Sequence, residues 1–331
     1  MTIKYRTFDF TTEDIRPIHK LFYITYGNKV DPAVWRWKYD RNPKSSDIKI
    51  FVAENEGRII AATTRIPADL KIGEDICRIN FCVDSLVDLE FRRRGIMTSL
   101  YKYAADSMPI LYSKGTNPGM YNLLINFGYR NVTPNTYMVK YLSLTKLLFS
   151  KVKIYHPKAA PASSAFDTGD FKVIESFSKE FDEFWNRISC YYPGVIVKDS
   201  RYMNWRYKEI PHRTYNAFYG MREGKIVSVI ILRSRGRSSG SVADILWDTQ
   251  EKDEPLNSIK FSIDYFKYLG FLKVTFWGTL GTLREDFRKH GFLTQKETPR
   301  FSVYIREGMR DSFADGKNIH FVDGDGDSEY L

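Results

Sequence analysis

The chain has 331 residues, of which 43% are hydrophobic, 27% charged and 15% aromatic, with a net charge of +10. This is a globular composition with enough chain for two cores, and it excludes a low-complexity or disordered protein. Three cysteines without a C-x-x-C pair argue against a disulfide framework or a thiolate zinc site; with no apolar run of 18 residues and no basic-then-apolar pattern at the start, a soluble cytoplasmic protein is the expectation.

Periodicity predicts helices at 12–26 and 31–40, a strand pair at 48–54 and 58–69, and a longer strand at 78–88. A helix at 94–107, a strand at 109–113, a helix at 118–127 and a strand at 130–141 follow. The stretch HPKAAPASSAFDTGD (156–170) is rich in Pro, Ala and Ser and reads as a linker. Beyond it the pattern resumes with a helix at 178–189 and strands at 215–221, 225–233 and 241–247. A helix at 254–269, a strand at 272–277, a helix at 281–290 and a strand at 300–306 complete it, and periodicity stops near residue 308.

The second series repeats the first. When Trp37 is aligned with Trp205, Lys38 meets Arg206, Tyr39 meets Tyr207 and Pro43 meets Pro211. FVAENEGRIIAATTRI (51–66) matches AFYGMREGKIVSVIIL (217–232), each a hairpin with a Glu-Gly turn. LINFGY (124–129) matches FRKHGF (287–292), each a helix end capped by glycine. Three matches in one order imply two copies of one unit. The fold class is α/β, a mixed sheet flanked by helices in each of two tandem units. The first spans 1–150, a linker 151–170, the second 171–310, and an acidic tail 311–331. DGDGDSE (323–329) is too short for a calcium loop and lacks the later bidentate Glu, so the tail is expected to fray, with a segment folded over the acceptor pocket as the lesser alternative. Trp37 and Trp205 are read as equivalent core aromatics, each pinning a helix.

The stretch LVDLEFRRRGIMTSL (86–100) places three arginines and a glycine where a strand enters a helix. A helix N-terminus exposes unpaired N–H groups and partial positive charge, glycine lets backbone approach an anion, and arginine adds forked donors. Arg92, Arg93, Arg94, Gly95, Ile96, Met97 and Thr98 therefore form a candidate diphosphate cradle, which is neither a Walker A loop nor a dinucleotide-binding turn. In the second copy LWDTQEKDEPLNSIKF (246–261) stands at this place, with Asp248, Glu251, Asp253 and Glu254 and no glycine. Acids repel a phosphate, so that copy is expected to be degenerate.

Val87-Asp88-Leu89-Glu90-Phe91-Arg92-Arg93-Arg94-Gly95-Ile96-Met97 resembles the signature V-x-P-E-[YF]-[RQ]-x-x-G-x-[GA] of the GCN5-related N-acetyltransferase (GNAT) superfamily. Leu89 stands for the usual proline and Met97 for the usual small residue. Ile110–Tyr112, Asn117 and Gly128-Tyr129 resemble that family's later strand, Asn and G-[FY]. The likeness covers about 20–145 and recurs weakly over about 175–308. It implies acetyl-CoA as acyl donor, with its diphosphate on the backbone of residues 93–98 and Asn117 beside it. It also implies pantetheine along Leu86, Val87 and Leu89, an oxyanion donor near Val87, and direct attack by an amine. Where the family often carries a tyrosine acid this chain has Leu124; Tyr121, one turn earlier, is the candidate, with Tyr112 and Tyr129 as other options. Asp84 is the candidate base, because the strand INFCVDSLVDL has few ionisable groups. The histidines show no metal-site spacing.

The expected function is acyl-CoA-dependent N-acylation of a primary amine on a small molecule such as an amino sugar or amino-acid-like compound. Neither a membrane nor a nucleic acid is the expected partner, and a homodimer is compatible. One alternative is an aminoacyl-tRNA-dependent transferase like the peptidoglycan bridge-forming enzymes, which the net positive charge suits. Another is a non-catalytic CoA or nucleotide sensor.

Overall fold

The computed structural model describes residues 2–10, 12–27, 30–106, 108–143, 166, 168–236, 238–309 and 311–326. Nearly all of the expected linker therefore lies outside the described residues. The N-terminal half runs β1 (Ile3–Phe8), α1 (Arg16–Tyr26), α2 (Pro32–Trp35) continuing into a π-helical turn (Arg36–Asp40), β2 (Lys49–Asn55), β3 (Arg58–Ile72), β4 (Asp75–Val87), α3 (Ile96–Ala105), β5 (Ile110–Lys114), α4 (Pro118–Phe127), β6 (Arg130–Asn131) and β7 (Thr136–Tyr141). The C-terminal half runs β8 (Phe171–Val173), α5 (Lys179–Ile188), β9 (Val195–Ile196), α6 (Ser200–Tyr207), β10 (Tyr215–Arg222), β11 (Lys225–Arg235), β12 (Ser239–Trp247), α7 (Glu254–Tyr268), β13 (Lys273–Gly278), α8 (Gly281–Lys289), β14 (Leu293–Thr294) and β15 (Phe301–Ile305). The mixed α/β architecture expected from the sequence is found. β1 and β8 were not foreseen: each is a short edge strand on the outside of its hairpin.

The two sheets have matching strand orders, β1-β2-β3-β4-β5-β15-β6 and β8-β10-β11-β12-β13-β7-β14, with β9 paired to β3. The match requires an exchange. β7 leaves the first half and pairs antiparallel with β13, from Thr136↔Gly278 to Tyr141↔Lys273. β15 returns from the second half and pairs antiparallel with β5, from Phe301↔Lys114 to Ile305↔Ile110. Each sheet is thus completed by a strand from the other half of the chain.

Packing follows the same plan. One core contains Ile66, Leu70, Phe81 and Tyr112 from the first half together with Ile196, Trp277, Phe301 and Phe321 from the second. At the centre the Trp37 and Trp205 rings stack, with centroids 5.1 Å apart and planes 15° from parallel. Trp37 Nε1–H donates to the Trp205 carbonyl (2.6 Å), and Trp205 Nε1–H donates to that of Trp37 (2.8 Å). The two tryptophans therefore pack on each other, each satisfying the other's buried indole donor.

The acidic C-terminal segment is a correction to the sequence reading. Ile319, His320, Phe321, Val322, Asp323 and Asp325 are buried. Asp323 pairs with Lys114 (2.9 Å) and Arg235, and Asp325 with Lys198 (3.0 Å). Arg206 donates to the carbonyls of Gly324 (2.5 Å) and Gly326 (3.1 Å). Lys114, Lys198 and Arg206, all buried, and the half-buried Arg235 hold the segment in place of solvent, so it does not fray; residues 327–331 lie outside the described residues.

Trp37→Ala and Trp205→Ala should each cost about 3–5 kcal/mol in chemical denaturation. The double variant should cost clearly less than the sum, because the contact is shared; additive losses would show that the stack contributes nothing as a pair.

Candidate functional site

β4 and β5 are parallel neighbours only at Asn80↔Leu111 and Phe81↔Tyr112. Beyond Phe81 the strands part, and β4 runs on to Val87 with that edge unpaired by strand. The Asp88 N–H bonds the Ile60 carbonyl of β3. Alternate residues of a strand face the same edge, so Leu86 also faces β3, whereas Ser85 and Val87 face the gap. A bulge opposite Thr63 shifts the β3–β4 register, and Asp84 has φ +50°. The bulge turns the Asp84 side chain towards the α2 face.

The open edge leads to the arginine-glycine turn. Leu89–Phe91 form a 3₁₀ turn whose Glu90 N–H is capped by Asp88, and Leu89 is exposed. Arg93 (φ +61°) and Gly95 (φ +73°) take left-handed conformations, and Arg92 to Gly95 are exposed. α3 starts at Ile96 without a side-chain cap, as do α1, α5, α7 and α8, whereas α2, α4 and α6 are capped by Asp31, Asn117 and Asp199. The first N–H groups of α3, from Ile96 to Thr98, keep the partial positive charge of a helix start with no capping side chain upon it. Ile96 and Met97 meanwhile anchor their side chains in the core beneath α3 and α4. Arg92 Nε donates to the Val87 carbonyl (3.1 Å), and the Arg94 guanidinium lies 5.4 Å from the Phe91 ring centre. The open strand edge and the uncapped helix start suit the pantetheine and diphosphate of a CoA ester.

The other sequence-selected residues are placed as follows. Asp84 is buried and accepts from Lys38 Nζ (2.7 Å) and from the Tyr39 hydroxyl. Burial, with the Asp84 charge next, pushes the Tyr39 hydroxyl well above its ordinary value. Asp84 therefore holds a buried lysine and tyrosine together. Its counterpart is Asp244, which accepts from Tyr207 (2.6 Å) and Lys198 (2.6 Å). Tyr121 donates to Asn131 Oδ1 (2.9 Å) beneath the Arg300 guanidinium, and Asn117 Oδ1 accepts from Met120 N–H (2.9 Å). These contacts put Tyr121 on the β6 side of α4 and Asn117 at its start. The Tyr112 hydroxyl donates to the Phe313 carbonyl (2.6 Å), and that of Tyr129 shares a hydrogen bond with Cys82 Sγ (3.1 Å).

The equivalent gap in the second half is closed from within. His320 Nε2 lies 2.8 Å from the Ile245 carbonyl. The Tyr192 hydroxyl donates to the Trp247 carbonyl (3.0 Å) and accepts from its N–H (2.9 Å). Val322 bridges to Gly278 of β13. The chain's own groups thus occupy the β12 edge whose counterpart in β4 is open. At the helix start beyond it, Glu254 is buried and accepts from Ser228 (2.6 Å).

On the α2 face of the first sheet, between the halves, lies a cavity of about 170 Å³. Ile66, Pro67, Phe81, Tyr202 and Trp205 form apolar and aromatic walls, with Lys44, Asp69, Arg201 and Asp325 among the charged groups. Asp69 is already paired with Lys44 and Arg78 (both 2.6 Å). Burial raises the proton affinity of the Asp325 carboxyl, opposed by Lys198. Asp325 was missed in the sequence because its segment has no periodicity; Gly324 was the available signal, since a Cβ there would collide with the Tyr207 hydroxyl. Among the described residues no cluster of His, Cys, Asp and Glu could hold a metal. No helix among them is long and apolar enough to cross a membrane.

Residues 6–129 match the family model described as an acetyltransferase (GNAT) domain. No curated protein matches the sequence. Among solved structures, the chain is similar to a protein of unknown function from Enterococcus faecalis V583 described as a probable N-acyltransferase, with 11% identity, 93% of this chain and 73% of that one covered, and a TM-score of 0.65. It is similar to a GCN5-related N-acetyltransferase from Kribbella flavida, with 12% identity, coverage of 92% and 71%, and a TM-score of 0.60. It is also similar to Saccharomyces cerevisiae N-myristoyltransferase with bound myristoyl-CoA, with 11% identity, coverage of 96% and 89%, and a TM-score of 0.56. At these identities the likeness is one of fold.

Gly95→Val should lower the unliganded melting temperature by a few degrees, because a side chain at φ +73° costs about 1–2 kcal/mol, and, because it also moves the amides, should weaken acetyl-CoA binding at least tenfold when the ligand-induced shift is measured from the variant's own baseline. Unchanged binding would remove the cradle. Burial lowers the proton affinity of His320 to about 4. Below pH ~6.5 the unfolded chain therefore takes up a proton that the native His320 refuses until about pH 4. Native stability should fall across that window by up to about 3 kcal/mol, and His320→Gln should flatten this slope in denaturation curves; an unchanged slope would contradict the assignment.

Proposed function

We propose that this protein, whose residues 6–129 match an acetyltransferase (GNAT) domain model, transfers an acetyl group from acetyl-CoA to the primary amine of a small molecule. Support for acyl-CoA-dependent acyl transfer is the family match together with the open β4 edge ending at an uncapped helix. In the second half the strand edge is occupied by His320 and Tyr192 and buried Glu254 stands at the helix start, so one donor site per chain is proposed. The short acyl group rests on the closed end of the gap, where Phe81, Tyr112 and Phe321 pack together with ring centroids 5.0–6.4 Å apart. The small acceptor rests on the cavity of about 170 Å³.

Bound at the cradle, the CoA thioester supplies an activated acyl carbon. The outward amide N–H groups of β4 on the gap side, Val87 among them, are placed to donate to an oxygen that gains charge. Aromatic walls exclude water around the amine. Asp325 is the proposed proton acceptor: it lines the cavity, and a carboxylate of raised proton affinity takes a proton from an ammonium more readily than an ordinary one. Asp84, held by Lys38 and Tyr39, fixes the bulge that opens the edge and positions the site. Tyr121 has no proposed part in proton transfer, since its hydroxyl is directed to Asn131.

The test is thiol release from acetyl-CoA with a panel of small primary amines. Asp325→Asn should lower kcat by about 10²–10⁴-fold while acetyl-CoA binding is retained. Turnover with no amine, or full activity in Asp325→Asn, would overturn the respective parts of this reading.

A further inference from the structure

Arg65 is a buried charge that the proposed function leaves without a part. It lies on β3 directly opposite Cys82, which follows the last β4 residue paired with β5. Its side chain faces the α3 and α4 layer and is 0% exposed. Nη1 donates to Thr63 Oγ1 (2.7 Å) and to the Thr64 carbonyl (3.0 Å), and the guanidinium carbon lies 4.4 Å from the Tyr101 ring centre. Nε and Nη2 are buried without a hydrogen-bond partner. Among the described residues no carboxylate pairs with it. A buried guanidinium with two unmet donors is costly, and native structures keep such a group when something else answers it.

Its neighbours are neutral and polarisable. Cys82 Sγ and the Tyr129 hydroxyl share a hydrogen bond (3.1 Å), as do Ser85 Oγ and the Tyr101 hydroxyl (2.9 Å), and Thr63 Oγ1 meets Ser85 Oγ (3.0 Å). Burial pushes Cys82, Tyr101 and Tyr129 up, and the Arg65 charge pulls each of them down. The cluster is therefore positive as it stands, at the closed end of the gap between β4 and β5. From Val87, beside the diphosphate cradle, to Cys82 is about 16 Å along the strand at ~3.3 Å per residue. A pantetheine arm laid along this edge carries its sulfur towards the Arg65 cluster.

We propose that Arg65 is a positioning residue that stabilises the departing thiolate of CoA, acting through the Tyr129 and Tyr101 hydroxyls, which bond Cys82 and Ser85 of β4 beyond its last pairing with β5. The proposal rests on the acyl-CoA reading of the site. In the transfer the amine nitrogen forms a bond to the acyl carbon, the carbon–sulfur bond breaks, and its electron pair leaves on sulfur. The proton lost by the amine goes to the carboxylate side of the site. A fixed positive charge behind two orientable hydroxyls lowers the energy of that sulfur anion without itself exchanging a proton.

The test needs no acceptor. The thiol of CoA bound to the full chain is titrated by thiolate absorbance, and binding of CoA, desulfo-CoA and acetyl-CoA is compared across pH. A free thiol titrates near about 8.5. On the wild type the bound thiol should titrate at least about one unit lower, so that CoA gains about tenfold over desulfo-CoA above that pH. Arg65→Lys should keep most of the shift, and Arg65→Gln should abolish it while still binding acetyl-CoA, which has no thiol to ionise. A bound thiol titrating at its free value in the wild type, or a shift unchanged in Arg65→Gln, overturns the proposal. Should Arg65→Gln not fold, Tyr129→Phe decides: loss of part of the shift supports the relay, and an unchanged shift overturns it. Failure of acetyl-CoA to bind the wild type would instead remove the acyl-CoA reading itself.

Discussion

The stack of Trp37 on Trp205 sits where the two halves must agree, and the rest of the molecule is arranged about it. Each indole N–H is satisfied by the carbonyl of the other tryptophan, so neither helix can be placed independently of its counterpart. The same reciprocity governs the sheets, since β7 completes the second and β15 the first. Removing one half would leave β5 or β13 with an open hydrogen-bonding edge and an uncovered core. The halves are therefore one folding problem, with long-range pairings that join residues far apart in the chain.

Within this matched frame the two gaps have opposite fates. Both central strands bend, and the Tyr39–Asp84 pair of one corresponds to the Tyr207–Asp244 pair of the other. In the first, a glycine turn and an uncapped helix leave amide hydrogens facing outwards. In the second, His320 and Tyr192 take the free strand edge, and buried Glu254 stands at the helix start. The segment that closes the second gap also carries Asp325 into the cavity between the halves. Closing the second gap thus furnishes a wall for the cavity beside the first, which gives the second half a structural role in it.

Much of this was legible because local chemistry announced it. The Glu-Gly turns adopt left-handed pairs, Glu56 and Gly57 at +53° and +77°, Glu223 and Gly224 at +49° and +77°. Gly128 and Gly291 end their helices with positive φ, and Gly95 opens α3 in the same way. What was not legible depends on partners. The pattern of Thr136–Tyr141 reads as a strand but does not say in which sheet it lies. The tail reads as acidic and solvated because its lysines and arginines, Lys114, Lys198, Arg206 and Arg235, come from elsewhere in the chain. Arg65 left a trace, since Thr63-Thr64-Arg65 interrupts an apolar central strand with polar residues; such a run signals a buried polar cluster once the strand is known to be covered on both faces.

Among the described residues, the opening beside Gly95 is the one gap proposed to hold an acyl-CoA. The stoichiometry of acetyl-CoA binding to the full chain, measured by titration calorimetry, tests this most directly. One molecule per chain is predicted. Two per chain, or none, would contradict the claim that one gap is open and the other closed.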